Sequence, residues 1–417
     1  MENQKIEEFK QLIKSRLNKP MRYYLDVCTR CGLCYDTCHA YYGIPKKEYS
    51  PVNRAEVVRK IYKKYFRPSG KFFPYWSDAT EIDDNVMEQV YEAAFSCTGC
   101  RRCMMFCPFG VDMPHILSIA KLLLIANETA PEELVMLADG AVEKGKSIDL
   151  FKEGYRNVIK DLETEVQKKL NLPSSENLIP MEKKGANILY VGLSGANSIV
   201  HPAVIFNSAK EDWTLSYFEA VNFGAFVGDP EKMQFIANRI IKEAKELGVK
   251  EVVIVECGTA FRIMKHMMGE LPFKVSSIVE VIHRYIRDGR IKIREGSIKE
   301  AVTYHDPCQL GRNSGVFDEP RYVLKKLAGD FREMTPTREL NWCCGGGGGL
   351  VALDNEEFRI KSGKAKKDQI VAAGASVVVS ACENCILQLN TINQGYGLGV
   401  EVKSLSELVS ENILTGA

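Results

Sequence analysis

The chain has 417 residues, 45% of them hydrophobic and 26% charged, too long for one compact core and long enough for two or three domains. Its 55 Lys and Arg against 54 Asp and Glu leave a formal charge of +1, which offers no basic face for nucleic acid and no acidic tail. Fourteen cysteines point to metal or redox chemistry rather than disulfides, because cytosolic thiols are kept reduced.

The first segment, MENQKIEEFKQLIKSR, alternates charges with apolar positions and lacks the continuous apolar stretch of a secretory leader, so it reads as a helix of the mature protein. Two cysteine runs follow, each spaced C-x2-C-x2-C-x3-C: Cys28, Cys31, Cys34, Cys38, and then Cys97, Cys100, Cys103, Cys107 with Pro108 behind it. This is the bacterial ferredoxin spacing, in which three cysteines wrap one cubane and the fourth serves the other. The expected sets are Cys28, Cys31, Cys34 with Cys107, and Cys97, Cys100, Cys103 with Cys38. Zinc knuckles are the competing reading of C-x2-C pairs, but zinc has no use for the evenly spaced third cysteine. The first run ends Cys38-His39, where Pro is usual. Arg30, Arg101 and Arg102 either add positive charge near the clusters or are solvated. Between the runs, Val57, Val58, Ile61, Tyr62 and Tyr65 follow helical spacing, which predicts a helical domain over residues 1–130.

The apolar run Ile116 to Ala126 contains Lys121 and is too short to span a membrane. The chain is therefore expected in the cytoplasm, or peripheral at a membrane through a partner subunit, with no span of its own. Residues 131–185 read as a helical, charged linker ending in the polar LPSSENLIPMEKKGAN. Beyond it, short apolar strands alternate with amphipathic helices, the pattern of α/β units around a parallel sheet. Strands are predicted at Ile188 to Val191, Val252 to Val255, Ala301 to Tyr304 and Val377 to Val379. The stretch ending at Cys257 can be laid over that ending at Cys382, so residues 186–294 and 295–417 read as two copies of one fold. The fold class expected for the whole is α+β multidomain.

The second copy carries His305-Asp306-Pro307-Cys308, Cys343-Cys344 opening a run of five glycines, and Cys382-Glu383-Asn384-Cys385. Each element falls at or beyond a predicted strand end, where the loops of a parallel sheet converge. Glycines without side chains let the backbone approach a bulky group closely. The glycine run lacks the Lys-Ser/Thr of a phosphate loop, and Gly192-Leu193-Ser194-Gly195 is wrongly spaced for a dinucleotide fingerprint, so no flavin or NAD of its own is expected.

The pattern Cys-x34-Cys-Cys-Gly-x36-Cys-x2-Cys resembles the CCG domain of heterodisulfide reductase, and the whole chain is similar to the D-type polypeptide of that enzyme, which fuses a two-cluster ferredoxin part to two CCG domains. CTRCGLCYDTCHAYYG and PVNRAEVVRKIYKKYF resemble the DsrK-like and Tmc branch; the layout also resembles a subunit of the class II benzoyl-CoA reductase complex. The resemblance implies a non-cubane [4Fe-4S] cluster on Cys308, Cys343, Cys344, Cys382 and Cys385. The first copy has Ser194, Asn222-Phe223-Gly224 and Ala260 where those ligands would align and keeps only Cys257, which implies a CCG domain without its cluster. The function implied is electron transfer within a redox complex of anaerobic metabolism, beside a flavoprotein or membrane quinone module. The alternative is an oxidoreductase subunit that itself reduces a disulfide or related sulfur species, with His305 and Cys257 as candidate catalytic groups.

Overall fold

The computed structural model describes residues 3–174 and 177–414; Ser175 and Glu176 of the expected linker, and residues 415–417 of the expected last domain, lie outside them. The chain divides into two compact units. The first comprises Met1–Leu137, Gly224–Pro230 and Trp342–Asp368; the second comprises Ala138–Phe223, Glu231–Asn341 and Gln369–Ala417.

The first unit is helical around the segments Pro51–Phe66, Asp84–Phe95 and Met113–Ala126, which pack on one another. Pro51 sits in a first turn where its missing N–H costs nothing, and Ser50 Oγ accepts from the Asn53 N–H at 3.4 Å. Val52, Ala55, Val58, Ile61 and Tyr62 then form the buried stripe that the apolar spacing predicts, while Val57 and Tyr65 lie at its edge. The greasy run lies inside Met113–Ala126, started by Asp112, whose carboxylate accepts from the His115 N–H at 3.2 Å. No helix among the described residues is long and apolar enough to cross a membrane.

The second unit holds two four-stranded parallel sheets. Strands β1 (Ile188–Val191), β2 (Trp213–Leu215), β3 (Glu251–Ile254) and β4 (Lys274–Ser277) lie in the order β2-β1-β3-β4. Strands β5 (Ile298–His305), β6 (Ala328–Arg332), β7 (Val377–Ser380) and β8 (Glu401–Ser404) lie in the order β6-β5-β7-β8. The two orders are the same. Helix pairing repeats the relation: Asn197–Ser208, which follows β1, packs on Leu405–Ser410, which follows β8, and Asp318–Leu327, which follows β5, packs on Ile278–Arg287, which follows β4. Each copy thus lends its first and last helices to the other.

Glu256, just past β3, joins the copies directly. Its carboxylate accepts from the Ser406 N–H at 3.0 Å and its carbonyl from the Glu383 N–H at 2.9 Å. Burial raises its carboxyl to about 8, against the hydrogen bonds from Ser406. The folded state therefore keeps a proton that the unfolded chain releases near 4.5, so this group makes stability fall as pH rises from 4.5 toward 8. Urea midpoints across that window are expected to decline, and E256Q is expected to flatten the slope; an unchanged slope would show that other groups set it.

Candidate functional site

In each cysteine run, two residues adopt the left-handed region at matching places. Arg30 (φ 60°) and Gly32 (φ 83°) in the first correspond to Gly99 (φ 69°) and Arg101 (φ 61°) in the second. Alternation of this kind turns successive N–H groups to one side and makes a concave anion site. The two runs reach it with glycine at opposite positions.

Cys38, Cys97, Cys100 and Cys103 line one cavity, together with His39 and Arg54. The sequence pairs these same four cysteines. Burial pushes the Cys97 and Cys103 thiols up, and neighbouring thiols add to it. Burial acts upward on Cys38 too, but the Arg54 guanidinium and His39 hold it below its ordinary value. Crowded buried thiolates are stable only with cationic charge among them, which is what iron brings, so the residues fit a cluster. Of the first set, Cys34 is buried, Cys28 and Cys107 are half-buried and Cys31 is exposed. Burial raises Cys34 to about 11, with Cys28 adding to it. Cys28, Thr29 and Arg30 open onto a surface hollow beside an exposed aromatic patch formed by Phe72, Phe73, Tyr75 and Trp76.

The arginines singled out in the sequence differ in environment. Arg102 is buried, donates to the Thr37 carbonyl at 2.8 Å and lies 3.6 Å from the Trp342 ring centroid. Arg101 pairs with Asp112 at 2.9 Å, and Arg30 is a half-exposed partner of Glu56. Sequence reasoning passed over Arg54. Its signal was position, since it lies on the apolar face four residues before Val58 and seven before Ile61, where a solvated arginine does not belong.

Cys343 and Cys344 belong to the helical unit. Cys343 Sγ lies 3.4 Å from Thr98 Oγ1, inside the second cysteine run. His39 completes the link, with Nε2 3.1 Å from Thr98 Oγ1 and Nδ1 3.2 Å from the Ser362 carbonyl. Burial alone would lower the His39 value, but the Cys343 thiol beside it raises it. His39, Cys100 and Cys343 offer ligand atoms within 4.8 Å of one another. The glycines explain the approach: a Cβ on Gly347 would stand 2.9 Å from the Thr98 carbonyl oxygen, and one on Gly348 2.9 Å from that of Cys97. Backbone N–H groups of Gly345 and Gly346 point to Cys343 and Cys344 Sγ at 3.4 and 3.5 Å. Lys121 accommodates both segments inserted into this unit, donating to the Phe226 carbonyl and, at 3.4 Å, to that of Gly348.

In the sheet unit, Cys308 begins the loop after β5, and Cys382 and Cys385 open the helix after β7. The Cys385 thiol, hydrogen-bonded to Cys382, lowers the latter's value against burial. Cys257, from the first copy, is buried beside Cys382, and burial with that neighbour raises it to about 12, so it is a neutral thiol. A Cβ on Gly258 would meet the Leu310 N at 2.8 Å, which presses the first copy's loop onto the loop carrying Cys308. His305 is buried, 3.3 Å from Asn341 Nδ2 through Nδ1, with a ring nitrogen within 4.8 Å of Cys385 Sγ. Asp306 anchors this strand end through two 2.8 Å bonds from Arg321 and one of 2.9 Å from the Arg338 N–H.

Comparison with known families agrees with this layout. A family model described as a 4Fe-4S dicluster domain matches residues 24–111, and one described as a cysteine-rich domain matches residues 302–390. The D-type polypeptide of the dihydromethanophenazine:CoB–CoM heterodisulfide reductase of Methanosarcina mazei is 28% identical over 403 residues, 93% of both chains. The chain thus carries a 4Fe-4S dicluster domain and a cysteine-rich CCG domain and is similar over most of its length to heterodisulfide reductase D-type polypeptides. The "Hdr-like menaquinol oxidoreductase iron-sulfur subunit 2" of Archaeoglobus fulgidus is 29% identical over 410 residues, 85% of this chain and 73% of that one. The "EtfAB:quinone oxidoreductase" of Syntrophomonas wolfei is 25% identical over 409 residues, 88% of this chain and 54% of that one. These relatives support an electron-transfer role for this heterodisulfide reductase-like protein.

The glycine contacts generate a test. Gly348 and Gly296 both have positive φ, at 69° and 62°, but only Gly348 has backbone in the way of a Cβ. G348A is expected to lower iron content and iron–sulfur absorbance in anaerobically purified protein, whereas G296A, which carries only the left-handed strain of about 1 kcal/mol, is expected to leave both unchanged. Equal iron in the two variants would show that the close approach is dispensable.

Proposed function

We propose that the chain is an electron-transfer subunit of a heterodisulfide reductase-like redox complex, passing electrons between two cubane [4Fe-4S] clusters and one non-cubane [4Fe-4S] cluster. The sets are those read from the sequence: Cys28, Cys31, Cys34, Cys107; Cys97, Cys100, Cys103, Cys38; and Cys308, Cys343, Cys344, Cys382, Cys385. The observation that carries this reading is the 3.4 Å contact between Thr98 and Cys343 Sγ, which joins a residue of the second ferredoxin run to a cysteine of the CCG pattern. The clusters, when bound, accept and give single electrons. The protein's own residues hold them close, exclude water through the buried Cys38, Cys103 and Cys343, and supply N–H groups and cations to the sulfurs.

Exposure of Cys31, and the opening of Cys28 onto the surface hollow, support exchange with a partner subunit at the first cluster. That partner is a flavoprotein or membrane quinone module, and residues 1–130, 131–185, 186–294 and 295–417 serve as ferredoxin part, linker, clusterless CCG copy and cluster-bearing CCG copy. A second reading, catalysis of disulfide reduction at the non-cubane cluster, draws on His305 near Cys385 and on the neutral Cys257 thiol beside Cys382. In it His305 gives a proton to a leaving thiolate.

Anaerobically isolated protein is expected to carry about 12 iron atoms, and the C344S variant about 8 with both cubane signals retained. Stoichiometric zinc, or about 8 irons in the unaltered protein, would contradict the reading. Thiol-induced changes in the non-cubane electron paramagnetic resonance (EPR) signal are expected only if the second reading holds.

A further inference from the structure

Arg54 is buried, and its contacts are fully accounted for. Nη1 donates to the Ser96 carbonyl at 2.8 Å, Nη2 to the Tyr49 carbonyl and to Cys38 Sγ, both at 2.8 Å, and Nε reaches the Ser50 carbonyl at 3.4 Å. None of these partners is a carboxylate. A guanidinium cannot lose its charge in a protein, and a buried charge without a counter-charge is strongly unfavourable. The groups that share the cavity with Arg54 include the thiols of Cys38, Cys97, Cys100 and Cys103. Near the other run the arginines are differently placed: half-exposed Arg30 and buried Arg59 both pair with the Glu56 carboxylate, so their charge is partly offset by a carboxylate. Neither donates to a cysteine sulfur in the way Arg54 does. The two ferredoxin sites are therefore electrostatically unequal.

We propose that Arg54 is the counter-charge of the cluster held by Cys38, Cys97, Cys100 and Cys103, and that it selectively raises that cluster's reduction potential over that of its neighbour. Reduction by one electron adds one negative charge to a site that is otherwise too buried to accept it. Arg54 supplies a fixed positive charge and an N–H···S bond at the place where that charge arrives, with no proton taken up. Hydrogen bonds to sulfur and net charge are both determinants of cluster potential. A higher potential at a cluster held there would favour placing an electron beside the run whose Thr98 touches Cys343. Arg54 acts through Cys38 and is a positioning residue.

The inference rests on the assignment of those four cysteines to a cubane. Redox titration of the full chain, followed by EPR, resolves the two cubane signals. R54Q is expected to lower the reduction equilibrium constant of one cubane about tenfold or more, equivalent to about 59 mV for one electron, and to leave the other unchanged. R54K, which keeps the charge, is expected to recover most of that loss at equal iron content. Unchanged potentials, or equal shifts of both signals, would overturn the proposal. Should R54Q fail to assemble its clusters, the unaltered protein labelled with 15N-guanidinium arginine decides: pulsed EPR is expected to show a nitrogen coupling on one reduced cubane that disappears in R54K, and its absence would refute the bond. If the unaltered protein shows fewer than two cubane signals, the ligand assignment fails instead.

Discussion

The close approach of a glycine run to a ferredoxin loop is the constraint on which the helical unit depends. Gly347 and Gly348 lie where any side chain would collide with the carbonyls of Thr98 and Cys97, and that contact seats Cys343 against Thr98 Oγ1. A cysteine pair from the α/β part of the sequence is thereby built into the unit that carries the eight N-terminal cysteines. His39 secures it from the opposite side, bonding Thr98 with one nitrogen and Ser362 with the other. A proline at residue 39, the usual occupant after such a run, has no group to make either bond.

Charge placement follows from the same packing. Buried thiols are pushed toward neutrality at Cys97 and Cys103, while Arg54 and His39 favour the thiolate at Cys38. Burial lowers Lys121 to about 8, against the opposing influence of Cys97. The buried cations and the thiols stabilise one another, and neither set is favourable alone. In the sheet unit the corresponding anchor is the buried Asp306–Arg321 pair, which fixes the strand end from which Cys308 departs.

The central strands were legible in the sequence and the edge strands were not. β1, β3, β7 and the second half of β5 are buried and read as short apolar runs, so their expected bounds differ from the observed ones by at most three residues, the largest difference falling at the exposed Lys299-Glu300 start of β5. β2, β4, β6 and β8 are the sheet edges, and the last three carry polar segments such as KVSS, AGDFR and EVKS, which a hydrophobic pattern reads as loop. The two cysteine-bearing domains were legible because metal ligands obey strict spacing. Arg54 was not, because burial of a charge is a tertiary fact; only its place on an apolar stripe hinted at it. Nor did the sequence reveal that Cys343-Cys344 leaves its own copy's sheet unit, since contacts across 245 residues have no local pattern.

Electronic contact between the second ferredoxin run and the CCG cysteine pair is the central claim. Pulsed EPR relaxation measured on partially reduced protein, with both kinds of signal present, tests it most directly. Dipolar broadening and accelerated relaxation of one cubane signal by the non-cubane signal are predicted, lost in C344S and absent from the other cubane. Two cubane signals that relax identically with and without the non-cubane signal would contradict it.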